Sequence, residues 1–223
     1  QSGAADYGRP VLEQLGAAAG LAYPQITTYV ELPIATYDVR VVLASDATCA
    51  NAAVADTTGI AVAKDLTATV AAIGILDRSG AATHDPSFKL KVFADATSTS
   101  PGKGKLRFIH ASPGTPAVDV GLGAGHGFTR VFTNVSFGNT GAGGAIDALG
   151  FVEVNPFTSP VSARVTGSAV DALTVPQVSL AAGGIATAFA IGGKTGSPTN
   201  PLRVLLCSDG VSNGLLSACV TAP

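Results

Sequence analysis

Apolar and polar residues alternate with a period of two along most of this chain. In 37–43, Tyr37, Val39, Val41 and Leu43 share one face, with Asp38 and Arg40 on the other. Ile26, Thr28, Val30 and Leu32 alternate with Thr27, Tyr29 and Glu31, and Val131, Thr133, Val135 and Phe137 alternate with Phe132, Asn134 and Ser136. Such a period predicts half-buried strands, and these residue types suit a pleated surface. Turn-forming runs separate the segments: SPGTP at 112–116, NTGAGG at 139–144 and GGKTGSPTNP at 192–201. One stretch, 11–20, reads as helix; Gly16 interrupts it and Gly20 closes it, so one or two turns are expected. Many short strands without alternating long helices predict an all-β sandwich rather than a parallel α/β fold.

The strand pattern also repeats. TYVELPIATYDVRVV (28–42) aligns with GFVEVNPFTSPVSARV (150–165) at an offset of 122, and GIAVAKDLTATVAAIG (59–74) with QVSLAAGGIATAFAIGG (177–193) at 118. KLKVFADA (89–96) aligns with PLRVLLCSD (201–209) at 112. Two tandem immunoglobulin-like, Greek-key-type β-sandwich domains are therefore expected, over 1–100 and 101–223, with the boundary in the polar segment 97–104 and a C-terminal tail at 210–223. The second repeat opens with KLRFIHAS and AVDVGLG, whose counterparts in the first would precede Gln1. The first domain is thus expected to lack its first two strands, leaving a backbone edge and a core face for another segment to fill.

Composition narrows the functional classes. The chain of 223 residues is 47% hydrophobic but only 13% charged, which points to an exported protein, either secreted or on the cell surface. No apolar run reaches the length of a membrane span. The absence of a leader at Gln1 is read as a trimmed chain or a fragment. Residues 1–100 carry six basic and ten acidic side chains (−4), and residues 101–223 carry seven and five (+2). Neither half is basic enough for a nucleic-acid partner. Of three cysteines, Cys207 and Cys219 flank a loop able to fold back, making a disulfide in an oxidising compartment or two free thiols; Cys49 is left as a buried thiol or a partner for another chain.

The densest polar cluster is KLRFIHASPGTPAVDV at 105–120, holding His110, Ser112 and Asp119. A hydrolytic triad needs a base within reach of the nucleophile and a carboxylate orienting the base, and neither crowding nor a Gly-x-Ser-x-Gly elbow supplies that here. Period two puts His110 on the core face with Leu106 and Phe108. Pro113 and Pro116 fix a turn that Ser112 can bond, and Asp119 is expected to point away from the core or to reach the amides of the turn. The cluster is read as structural. No metal-ligand spacing links His84, His110 and His126, and no cofactor is expected. The glycines of GLGAGHG (121–127) follow a strand but precede no helix, so they read as a loop and not a phosphate cradle. Asn134-Val135-Ser136 is a glycosylation sequon inside a strand.

Residues 106–120, LRFIHASPGTPAVDV, resemble the hallmark of a domain family of unknown function found in secreted and cell-surface bacterial and archaeal proteins, whose members open on H-A-S-P-x-x-P-A-V-D-V. The resemblance extends over 105–209 and, without the opening, over 21–96; Gly114 stands where an acidic residue is common. It implies a sandwich fold, export and tandem copies, with no established activity.

Three functions remain open. The first is a non-catalytic extracellular structural protein, a filament or surface-layer subunit that self-associates head to tail by strand complementation, with Leu215, Leu216, Ala218 and Val220 of the tail as a possible donor strand. The second is a secreted binding or adhesion module for glycans or a surface partner, though with no Trp and four Tyr its aromatic supply is thin. The third is a hydrolase using His110 or Ser112.

Overall fold

The computed structural model describes residues 10–14, 19–46, 48–49, 53–76, 88–193, 200–213 and 216–222. Apart from one helical turn, α1 (Val11–Gln14), the long elements are strands, and the protein is all-β. They are β1 (Ala35–Val41), β2 (Ala55–Val62), β3 (Ala68–Ile73), β4 (Lys89–Ala94), β5 (Gly104–His110), β6 (Val118–Leu122), β7 (Thr129–Val135), β8 (Phe151–Val154), β9 (Phe157–Val165), β10 (Leu173–Leu180), β11 (Ile185–Ile191), β12 (Arg203–Asn213) and β13 (Leu216–Ala222). The chain divides into two units, Gln1–Asp95 with Ser212–Ser217, and Ala96–Val211 with Ala218–Pro223.

The second unit is a sandwich of a five-stranded sheet, β13-β12-β11-β5-β8, and a four-stranded sheet, β10-β9-β6-β7. Leu106 and Phe108 of β5, Val118 and Val120 of β6, Phe132 of β7 and Val178 of β10 interdigitate in the core between them. β5 runs parallel to β11 and antiparallel to β8, so it sits inside its sheet. Both of its faces are buried: Leu106 and Phe108 enter the core, while Arg107 and Ile109 are covered on the other side. Residues 97–104, expected as a boundary linker, are tied to this unit. Ser100 donates to Glu153 Oε1 through its amide (2.9 Å) and hydroxyl (3.1 Å), and Lys103 Nζ donates to Asn155 Oδ1 (2.7 Å).

The first unit holds two two-stranded sheets, β1-β2 and β3-β4. Their registers coincide with those of β9-β10 and β11-β12. Ala35↔Val62 and Val39↔Thr57 answer Phe157↔Leu180 and Val161↔Val175, with a break in the ladder at the same place in both. Ala68↔Ala94 and Ile73↔Lys89 answer Ala186↔Ser208 and Ile191↔Arg203. This last match corrects the alignment of β4 with β12: Lys89 corresponds to Arg203, two residues from the partner expected. A slip of two keeps every side chain on its face, so apolar alternation does not detect it.

The strand expected over 26–32 does not form; a single bridge at Thr27 stands there. Its counterpart β8 is held by β5, through Gly104↔Val154 to Arg107↔Phe151. Among the described residues the first unit has no strand equivalent to β5, and an edge segment without a ladder partner stays irregular. Equivalents of β6, β7 and β8 are likewise absent among the described residues. The expected helix over 11–20 is described only as α1, and residues 15–18 lie outside the described residues.

Candidate functional site

The segment 105–120 folds as β5, a tight turn and β6. Pro113 supplies its fixed φ and Gly114 stands at φ +72°, the pairing a type II turn requires. This is why glycine serves at 114. Ser112 closes the turn: its Oγ lies 2.7 Å from Thr115 Oγ1 and donates to the Gly192 carbonyl at 2.9 Å.

His110 is fully buried. Its Nε2 lies 3.1 Å from the Pro116 carbonyl, and its Nδ1 faces the Ser112 amide at a long 3.4 Å. A carbonyl partner assigns the proton to Nε2, with Nδ1 as acceptor. Burial holds the imidazole below its usual pKa, opposed by the hydrogen bond to the Pro116 carbonyl and one to its own backbone. Phe137 stands edge-on to the ring.

Asp119, expected to point away from the core or to reach the amides of the turn, alternates with the core residues Val118 and Val120 and is itself buried, 2% exposed. Its Oδ1 accepts from the Asn134 amide (2.8 Å) and Thr166 Oγ1 (3.2 Å), and its Oδ2 pairs with Arg130 at 3.0 Å. The β6-β7 register breaks beside it and Asn134 has φ +51°. The carboxylate therefore satisfies an amide at an irregular point of the ladder. His110 and Ser112 thus meet only through the Ser112 amide, the Ser112 hydroxyl bonds Thr115 and Gly192 instead, and Asp119 is engaged with Asn134, Thr166 and Arg130.

The glycine loop is also structural. Gly125–Gly127 form a 3-10 turn. Asp171 Oδ2 accepts from the Gly125 amide and its Oδ1 from Arg164 Nε, both at 2.6 Å. The Arg164 guanidinium lies 3.9 Å from the Phe128 ring centroid. The Gly125 amide, followed by Arg164, holds the Asp171 carboxyl below the usual carboxylate range.

Cys207 and Cys219 form a disulfide joining β12 to β13. Cys49 is a buried free thiol whose pKa is raised by burial first and then by Asp46. Of the tail residues, Leu215 lies outside the described residues, Leu216 and Ala218 fall in β13, and Val220 is exposed. β13 is paired with β12 and cross-linked to it, its residues Leu216 and Ser217 grouping with the first unit and the remainder with the second. The described tail residues read from sequence as a possible donor strand thus lie in a strand paired with β12 of the same chain. His84 lies outside the described residues. Among the described residues no cluster of His, Cys, Asp or Glu is arranged to hold a metal.

The most unusual buried group is one that motif reading overlooks. Arg107 has no exposed surface. Its Nε and one terminal nitrogen donate to Thr187 Oγ1 at 3.3 and 3.1 Å, and that hydroxyl donates to Asp209 Oδ2 at 2.9 Å. The Phe151 ring centroid lies 4.4 Å from the guanidinium carbon. A buried guanidinium is tolerable only when its donors and charge are met this way. The first unit repeats part of this arrangement. Thr69, the counterpart of Thr187, donates to Asp95 Oδ2 at 2.7 Å, and Asp95 stands where Asp209 does. Tyr29, at the Phe151 position, donates to the same oxygen at 3.0 Å. The recurring Thr and Asp were readable in sequence once β4 was aligned correctly.

These features define an all-β protein with one sandwich unit and a disulfide; among the described residues no helix is long and apolar enough to cross a membrane. Residues 11–121, slightly under half of the chain, match the profile of a domain of unknown function, DUF4397. The matched stretch runs from α1 through β1–β5 into β6, and the match fits a family to which no activity is attached. Neither the curated proteins nor the solved structures contain a match.

Proposed function

We propose that this protein is a non-catalytic extracellular structural subunit that assembles head to tail, an extended segment of one copy adding to the first unit of the next. The supporting observation is the contrast in exposure between corresponding positions of the two units. Tyr29 is 47% exposed where Phe151 is 1%, Val30 37% where Val152 is 7%, and Val70 43% where Ala188 is 7%. Isolated two-stranded sheets are marginal in water, and an added strand supplies both main-chain hydrogen bonds and apolar cover. Contacts of this kind do not close on themselves and extend into fibres. The low charge content and the disulfide accord with an oxidising exterior.

Negative-stain microscopy and light scattering of the purified chain across a concentration series test this. Filaments whose length grows with concentration are expected. Discrete monomers at every concentration would overturn the proposal.

A further inference from the structure

We propose that the first unit recognises its added strand through an arginine, received by Thr69, Asp95 and Tyr29. This names the chemistry of the partner segment and rests on the reading of the first unit as a strand acceptor. The template lies in the same molecule. In the second unit the strand beside β11 is β5; it runs parallel to β11 and places Arg107 opposite Thr187. Two guanidinium bonds reach the Thr187 hydroxyl, which itself donates to Asp209, and the Phe151 ring lies alongside. In the first unit β3 and β4 keep the matching register, and the hydroxyl–carboxylate pair is rebuilt as Thr69–Asp95. An aromatic residue again stands at the Phe151 position, now Tyr29, whose hydroxyl donates to the same Asp95 oxygen. Among the described residues nothing donates to the Thr69 hydroxyl, the atom that takes both bonds in the second unit.

Two further observations fix the occupant. Val70 and Val92, cross-strand partners on β3 and β4, are 43% and 39% exposed, so the incoming strand needs apolar side chains on alternate positions. Residues 1–100 carry a net charge of −4, which favours a cationic segment. The other hairpin does not share the template. Where Ser162 and Thr174 make a part-buried hydroxyl pair, Arg40 and Asp56 form a partly exposed ion pair. The acceptor is therefore the β3 edge. Its occupant is an extended segment parallel to β3, patterned like β5, with one arginine opposite Thr69.

The test uses the intact chain and a fluorescein-labelled peptide with the sequence of residues 104–112, GKLRFIHAS, followed by anisotropy. Saturable binding is expected. Replacing the peptide's arginine by glutamine should weaken it by about tenfold or more, as a charge-assisted, stacked contact is lost. Asp95→Asn in the chain should weaken the unmodified peptide similarly, and combining the two changes should cost little more than either. The peptide variant leaves the protein untouched, so it decides the matter even if Asp95→Asn fails to fold. No binding, or equal binding of the arginine and glutamine peptides, overturns the inference. Peptide binding without filaments would remove the filament reading and leave this inference standing; filaments that form while the peptide fails to bind would do the reverse.

Discussion

At the scale of single residues, His110 and Arg107 show how burial decides what a polar group does. His110→Ala should cost about 2 to 3 kcal/mol in urea unfolding, from a cavity and an unmet Pro116 carbonyl. The imidazole also confers a pH dependence. Its folded pKa lies below the ordinary value of 6.5, so the native state binds fewer protons than the unfolded chain. The stability it contributes is present above 6.5 and is lost as pH falls from there through the folded pKa. The urea midpoint should therefore fall on mild acidification, and His110→Gln should flatten that slope. Arg107→Lys keeps the charge but loses the planar two-nitrogen contact and the ring stacking, and should cost about 1 to 2 kcal/mol. Period two placed His110 inward correctly. It could not show Asp119 buried, because a strand covered on both faces has no outward side, and the turn chemistry around Pro113 says nothing of the irregular ladder beside Asn134.

At the scale of elements, individual strands and turns were legible and their partners were not. The alternation in β1 and β9 and the punctuating glycines mark strands and turns locally. Whether 26–32 becomes a strand depends on a partner far away in sequence, and no local pattern reports that. Two elements can be tested directly. A Cβ at Gly121 would clash with the Thr129 carbonyl oxygen, so Gly121→Ala must part β6 from β7. Reduced expression of folded protein and loss of amide-exchange protection in both strands are expected. The disulfide joins residues 12 apart, and Cys219→Ser should cost about 2 to 3 kcal/mol. The exchange of β13 amides should rise first, because β13 is the edge of its sheet.

At the scale of the whole chain, the hairpin pairings of consecutive strands are local, while β5 meets β11 only across a separation of 80 residues, the distance from Arg107 to Thr187. Local contacts form early and distant ones late. During refolding, β1-β2, β3-β4, β9-β10 and β11-β12 should therefore exist before β5 finds its place. Amide-exchange pulse labelling should show protection in β3, β4, β11 and β12 ahead of β5. The interval matters because β3 and β11 then offer an arginine strand nearly the same threonine and aspartate. The order of synthesis sharpens this point: β3 and β4 leave the ribosome before β5, whereas β11 follows it. For part of its synthesis, every nascent chain holds β5 with only the other repeat's seat on offer, and completing the second unit becomes a competition in time as well as in affinity.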